Sequence, residues 1–409
     1  MGRIKRNTVY SLNDIVNTKF GTKLKCITAG TTSTDPLILD GTSPITDGIV
    51  VWEVQEEGGG SGQFVATAIS TYEREQLYTT NKTTITIYQT WVNINGIGYV
   101  LERAKIIDIE NTDNWDDGQY TVASNRAGKD FYIYVTQPVL DDAPNFILSA
   151  NSTVPTGYTA DNSRKIGGFH CLCLSVGTIS GHTLSDYLTG DILPQSPWDL
   201  KHRAISENEG MVYIPEVGNW VDIYLASWDG SKLVSQYNAV IADGASSPNF
   251  HGEKFVETFG LVNKKLPRRD DFVVFAKGSN EGTNIYGSSD PNITGGHRDT
   301  NNRRMISNYG IEDCCGAMWQ WTSDCSEAMS TSYTNGNSGM SGYNWNDYSV
   351  YNSICDPQKY GNVSGLLRRF IVGGDFGSGA DAGSRSCSAS YFGIRTTPYD
   401  SARGISETR

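Results

Sequence analysis

Apolar and polar positions alternate most regularly in TTITIYQTWVNINGIGYVLERAKIIDI, residues 83–109. Ile85 and Ile87, and then Val92 and Ile94, stand two apart, the period of a half-buried strand. Asn95-Gly96 interrupts that pattern with a dipeptide that favours a two-residue hairpin turn. DFYIYVT (130–136) predicts another strand after a Gly-Lys turn. Together these elements fit a β-sandwich of about a hundred residues, closed by the turn-rich stretch PTGYTADNSRKIGGFH, 155–170. N-terminal to it, ITDGIVVWEV (45–54) reads as one strand, and EEGGGSGQ (56–63) as a hairpin tip or hinge.

Helical patterns are few and lie beyond the sandwich. HGEKFVETFGL (251–261) places Phe255 and Phe259 on one helical face. LPRRDDFVVFAKG (266–278) has stronger terminal signals. Pro267 suits a first turn, Asp270 and Asp271 suit its electropositive end, and Gly278 suits its close. Phe272, Phe275 and Ala276 form its predicted buried stripe. After Gly278 the sequence is rich in Gly, Asn, Ser and Tyr, which predicts short strands and long loops. No repeat of fixed period occurs.

Composition agrees with this picture. The 409 residues include 44 Gly and 22 Tyr, a strand- and loop-rich mixture. A net charge of −12 argues against a bare nucleic-acid backbone as partner. The basic start MGRIKR reads as a solvated arm. No apolar run is long enough to span a bilayer, and the N-terminus lacks the apolar core of a secretory signal, so folding in a cytoplasm without membrane insertion is expected. Neither Cys171–Cys173 nor the adjacent pair Cys314–Cys315 has zinc-site spacing, and the five histidines are scattered. Buried thiols are expected, with no metal and no cofactor.

Three motifs occur in a meaningful order: LPRRDDFVVFAKG, then SNYGIEDCCGAMWQWTSD (307–324), then FIVGGDFGSGADAGSR (370–385). That order resembles the C-type lectin fold shared by formylglycine-generating enzymes and by variable proteins of diversity-generating retroelements. PTGYT and RKIGGFH (155–170), WDLK (198–201), GMVYIP (210–215), DIYL (222–225), DGSK (229–232), IADG (241–244) and GGDFGSGADAGSR extend the likeness. From about residue 72 onwards the chain resembles the phage major tropism determinants, receptor-binding tips of tail fibres.

The resemblance implies a mostly β, multidomain homotrimer. It assigns residues 1–70 to an N-terminal β region for trimerisation or attachment, which the family builds as a β-prism. Residues 71–168 would form the β-sandwich, and 169–409 a C-type lectin domain, α+β with two helices. It implies a virion protein at the tail-fibre tip, attached to other tail-fibre proteins and binding a bacterial surface protein. Its variable region would span about 373–404. Contact positions carried over there are Asp375, Gly377, Ser378, Gly379, Asp381, Ser388, Ser390, Tyr391, Arg395, Thr397, Tyr399 and Asp400. Each residue type is reachable from an AAC or AAT codon by changing adenines. Tyr supplies rigid contact area, Ser, Thr and Asp adaptable hydrogen bonds, and Arg395 a bidentate donor. The intervening Phe376, Ala382, Gly383, Arg385, Ala389, Phe392, Ile394 and Arg403 are expected to face inward or anchor the segment.

Rival readings are specific. A formylglycine-type enzyme needs reactive cysteines where this chain has Ser378 and Gly383, and Cys387 has no neighbouring His or Cys to activate it. A calcium-dependent glycan lectin needs converging oxygen ligands; NWNDYSVYN (344–352) lacks the Glu-Pro-Asn or Gln-Pro-Asp pattern and reads as a solvated loop. A fibre protein with no receptor role is the remaining alternative. Met318, Trp319 and Trp321 read as core and strand residues rather than a ligand cage.

Overall fold

The computed structural model describes residues 2–3, 5, 7–17, 23–33, 44–54, 81–87, 90–101, 104–137, 145–327 and 367–409. The stretches EEGGGSGQ and NWNDYSVYN, and the boundary expected near residue 70, lie outside the described residues.

The N-terminal strands are β1 (Gly2–Arg3), β2 (Val9–Tyr10), β3 (Ile15–Asn17), β4 (Lys23–Thr28), β5 (Gly30–Thr31), β6 (Ile45–Asp47) and β7 (Val50–Val54). Five of them form one sheet in the order β1-β3-β4-β7-β6, and β2 pairs with β5. Two expectations change here. Gly2–Arg3 pairs in parallel with β3 and Lys5 N–H donates to the Tyr10 hydroxyl at 2.8 Å, so the basic start is tied to the sheet. ITDGIVVWEV is a hairpin rather than one strand, because Asp47 pairs with Val50 around Gly48 at φ +68°. A glycine with positive φ at the first central position is what a two-residue II′ turn requires. Leu24, Cys26, Val50 and Trp52 form its core, with the Tyr10 ring edge-on to Trp52 at 5.0 Å.

The next strands are β8 (Thr84–Ile87), β9 (Thr90–Ile94), β10 (Ile97–Leu101), β11 (Lys105–Asp108), β12 (Asp130–Thr136), β13 (Asn145–Ser149), β14 (Ser163–His170) and β15 (Trp198–Asp199), with a one-turn helix α1 (Ala123–Arg126). The antiparallel pairs β8–β11 and β9–β10 face the four-stranded sheet β13-β12-β14-β15. Asn95 (φ 50°) and Gly96 (φ 84°) make the type I′ turn expected of their sequence. Ile85, Ile87, Val92 and Ile94 are buried and pack with Phe131, Ile133, Val135 and Leu148. Residues 163–170 are a strand rather than a closing turn: β14 continues through residue 168 and pairs with β15. Cys171 and Ile192 belong to the same apolar core.

The C-terminal part adds β16 (Met211–Ile214), β17 (Asn219–Asp222), β18 (Ala226–Trp228), β19 (Leu233–Ser235), helices α2 (Gly252–Leu261) and α3 (Arg269–Phe275), and β20 (Trp319–Glu327), β21 (Leu367–Gly373), β22 (Gly383–Phe392), β23 (Asp400–Ala402) and β24 (Ile405–Glu407). The sheet β22-β21-β20-β23 carries the C-terminal segment; β24 joins β16 and β17 in a second sheet. Phe255 and Phe259 are buried as their spacing predicts, and stack in a row with Phe250. In α3 the buried residues are Phe272 and Phe275, with Ala276 at its end. Pro267 stays outside that helix. Its carbonyl accepts from Ser323 N–H at 2.8 Å, and Arg268 N–H is capped by the Asp271 carboxylate at 3.1 Å. Met318 and Trp321 are fully buried, and Trp319 is a half-buried strand residue.

Candidate functional site

The segment from Gly373 onwards supplies both edge strands of the C-terminal sheet, β22 and β23. It begins with two glycines in the left-handed region, Gly373 at φ +92° and Gly374 at φ +83°. A Cβ on Gly373 would sit 2.5 Å from the Cys314 carbonyl oxygen, so the GG pair is imposed by backbone conformation and close approach. Asp375 then bridges in parallel to Ala317. Its carboxylate accepts from Gly377 N–H at 2.9 Å and from the Ser378 hydroxyl at 2.7 Å, fixing a compact turn. Asn284 clamps that turn by donating its amide to the Phe376 carbonyl. The Phe376 ring faces Met318 on one side and meets the Tyr399 ring at 5.2 Å.

The twelve carried-over positions separate into groups. Gly377 and Asp381 are exposed; Asp375, Ser378 and Gly379 are half-buried in the turn. Ser388, opposite Ile371 on β22, is half-buried, and Ser390 follows on the same strand. Tyr391 rests half-buried against the core of Phe250, Phe255 and Trp321. The Arg395 guanidinium lies over the Tyr391 ring, 3.6 Å from its centroid. Thr397 is half-buried and its carbonyl accepts from Gly244 N–H at 3.0 Å. Tyr399 is 42% exposed.

Asp400 departs from its expected role. It is 1% exposed and cannot offer its carboxylate to a partner molecule. Its backbone pairs with Trp319 in the parallel β20–β23 ladder, which turns the side chain inward. Burial is the main cause that pushes its carboxyl up to about 7; Arg395 opposes the shift and Asp375 adds to it.

The expected anchors also divide. Ala382, Gly383 and Arg403 are buried, and Phe376 and Ala389 half-buried, as anticipated. Arg403 donates to the Asp222 carbonyl at 2.7 Å, to the Ile223 and Glu312 carbonyls, and to the Gln320 side chain at 3.3 Å. Arg385, Phe392 and Ile394 face outward instead, with Phe392 37% and Ile394 56% exposed. Strand alternation fails there because the β21–β22 register shifts twice and β22 ends at Phe392. Arg395 N–H then donates to the Phe392 carbonyl at 2.9 Å, and this turn carries Ile394 away from the core.

Several supporting residues have no motif signal. Glu253, in the first turn of α2, takes a two-pronged contact from Arg369 at 2.7 and 2.9 Å, and its N–H donates to the Gly393 carbonyl at 2.9 Å. Hydrogen bonds from Arg369 are the main cause that holds the Glu253 carboxyl below its ordinary value. Glu281 accepts from Ser384 N–H at 3.1 Å. Gly244 is the exception, since it belongs to the IADG stretch; a Cβ there would lie 1.9 Å from Thr397 N. Cys387 is exposed, with its thiol pushed up chiefly by partial desolvation, and the described residues contain no group of three or more His, Cys, Asp or Glu suited to a metal ion.

Residues 75–199 match the family model described as "Mtd second domain". The chain is 30% identical over 250 residues to the tail fiber receptor-binding protein of Bordetella phage BPP-1, covering 55% of this chain and 62% of that relative's length. Among solved structures, the U1 variant of the major tropism determinant superposes with a TM-score of 0.64 at 21% identity, over 98% of this chain and 96% of that one. The P3c variant gives 0.63 at 22% identity, over 100% and 99%. The chain therefore has the mostly β fold of the major tropism determinants, including their C-type lectin fold.

Proposed function

We propose that this chain is the receptor-binding protein of a phage tail fibre, a tropism determinant that engages a bacterial surface protein through its C-terminal face. The observation that carries this reading is the split within one short segment. Tyr399, Gly377 and Asp381 face solvent while Ala382, Gly383 and Arg403 are locked beneath them. A surface that changes from copy to copy needs a base that does not change with it. The likeness to a tail fiber receptor-binding protein supports the same reading. It acts by binding rather than turnover, sits at the fibre tip of the virion, and assembles as a homotrimer with other tail-fibre proteins. Several weak sites then add up through multivalency.

The domain division proposed with this reading is 1–70 for attachment, then the sandwich, then the lectin domain to 409; the boundary expected at 168 falls inside β14, and the sandwich core runs on to Cys171 and Ile192. The contact set is Asp375, Gly377, Ser378, Gly379, Asp381, Ser388, Ser390, Tyr391, Arg395, Thr397 and Tyr399, with Asp400 beneath it. The test is adsorption of the labelled chain to a panel of bacteria, before and after mild protease treatment of the cells. Strain-selective adsorption abolished by protease, and untouched by chelator or simple sugars, is the expected result. Adsorption lost to chelator or sugars would mark a glycan lectin instead.

A further inference from the structure

The face contains a charge pair that the contact positions alone do not explain. Asp400 Oδ2 lies 3.4 Å from Arg395 Nε, too poorly aligned for a hydrogen bond. Neither Asp400 oxygen accepts a hydrogen bond from a described residue, although the side chain is only 2% exposed. The Arg395 Nη1 atom is likewise buried without an acceptor, while the guanidinium as a whole stacks on Tyr391. A buried carboxylate with no hydrogen bonds is costly to desolvate. Arg395 is the cation that offsets it, and Asp375 is the other charged group that acts on it.

We propose that Asp400 is a positioning residue for the face: its carboxylate holds Arg395 over Tyr391, so that Arg395 and Asp400 set receptor specificity as one unit. This rests on the reading of the segment as a receptor face and deepens it. Asp400 touches no receptor, yet replacing it changes what the receptor meets. Without the carboxylate, a guanidinium half-sunk beside Tyr391 lacks its counter-charge and swings to solvent. The face then presents a bare Tyr391 ring and a mobile cation in place of a stacked pair. Since the Asp400 carboxyl titrates at about 7, the pair is complete near pH 8.5 and broken near pH 5.5.

The test has two arms. Crystal structures of the wild-type protein at pH 8.5 and 5.5, and of Asp400→Asn at pH 8.5, read the position of Arg395. Arg395 over Tyr391 only in the wild-type protein at pH 8.5 is expected. An unmoved Arg395 in all three overturns the proposal, and the wild-type pair decides it even if Asp400→Asn fails to fold. The second arm is adsorption to the cells on which a phage carrying this chain forms plaques. Wild-type adsorption should rise between pH 6 and 8. At pH 8 Asp400→Asn should bind about tenfold more weakly, with no pH slope, and Arg395→Ala/Asp400→Asn should be no weaker than Arg395→Ala. Additive losses in the double variant overturn the claim of one unit. Full adsorption by Tyr399→Ala and Tyr391→Ala overturns the receptor-face reading itself, while the crystallographic arm still judges the Arg395–Asp400 pairing.

Discussion

Arg403 and Arg395 lie a few residues apart and meet opposite surroundings. Arg403 is fully buried, and its guanidinium is taken up by three backbone carbonyls and the Gln320 side chain. Arg395 has a stacked ring, a misaligned carboxylate and a nitrogen with no acceptor. Two ion pairs beneath the face sharpen the contrast, although Arg304 Nε has no acceptor of its own. Beneath, the ionic contacts Arg304–Glu312 and Lys264–Asp222 are direct, at 2.7 and 2.6 Å, and buried. Buried charges with complete partners resist rearrangement, whereas underpaired ones shift readily with small changes in their surroundings.

The largest effect should come from breaking the base. Arg304→Ala leaves the Glu312 carboxylate buried without its counter-charge and should cost about 3–5 kcal/mol of stability, read by urea unfolding. Gly373→Ala comes next. It forces a side chain into the left-handed region and against the Cys314 carbonyl, for a loss of about 1–3 kcal/mol in the same assay.

Asp199, on β15 of the sandwich sheet, sharpens the comparison, because it is a buried carboxylate away from the face with one oxygen left without a donor. Burial pushes its carboxyl from 3.8 to about 6, against hydrogen bonds from Lys201 and His202 N–H. The folded state therefore keeps a proton that the unfolded chain has released. Stability from this group should fall as pH rises from about 4 to 6. Asp199→Asn should remove that slope and gain about 1–2 kcal/mol at pH 7, after allowance for the hydrogen bonds it weakens. Smallest on stability is Tyr399→Ala, below about 1 kcal/mol, since the ring is partly exposed and rests mainly on Phe376.

Much of this was legible in the sequence where local signals act alone. The Asn95-Gly96 turn, strand 130–136 and the two phenylalanine-bearing helices follow directly from turn chemistry and periodicity. Asp47-Gly48 carries the same kind of turn signal and was obscured by the apolar residues on both sides of it. Pro267 looked like a first-turn residue, but its carbonyl is held by Ser323, from a distant strand. Around the face, local pattern failed in both directions. Phe392 and Ile394 were expected inside and Asp400 outside, because regular alternation was assumed across β22 and the turn beyond it. Two register shifts between β21 and β22, and the parallel pairing of β23 with β20, decide those orientations, and both depend on contacts far away in sequence. Glu253, Glu281 and Asn284 were missed for the same reason.

The most direct test of the central claim measures folding and adsorption together on one pair of variants, Tyr391→Ala and Tyr399→Ala. The account predicts that both proteins stay folded, with an unfolding free energy within about 1 kcal/mol of wild type for Tyr399→Ala and about 2 kcal/mol for Tyr391→Ala, while adsorption to host cells falls at least tenfold. Variants that stay folded and adsorb as well as the wild-type protein would contradict it.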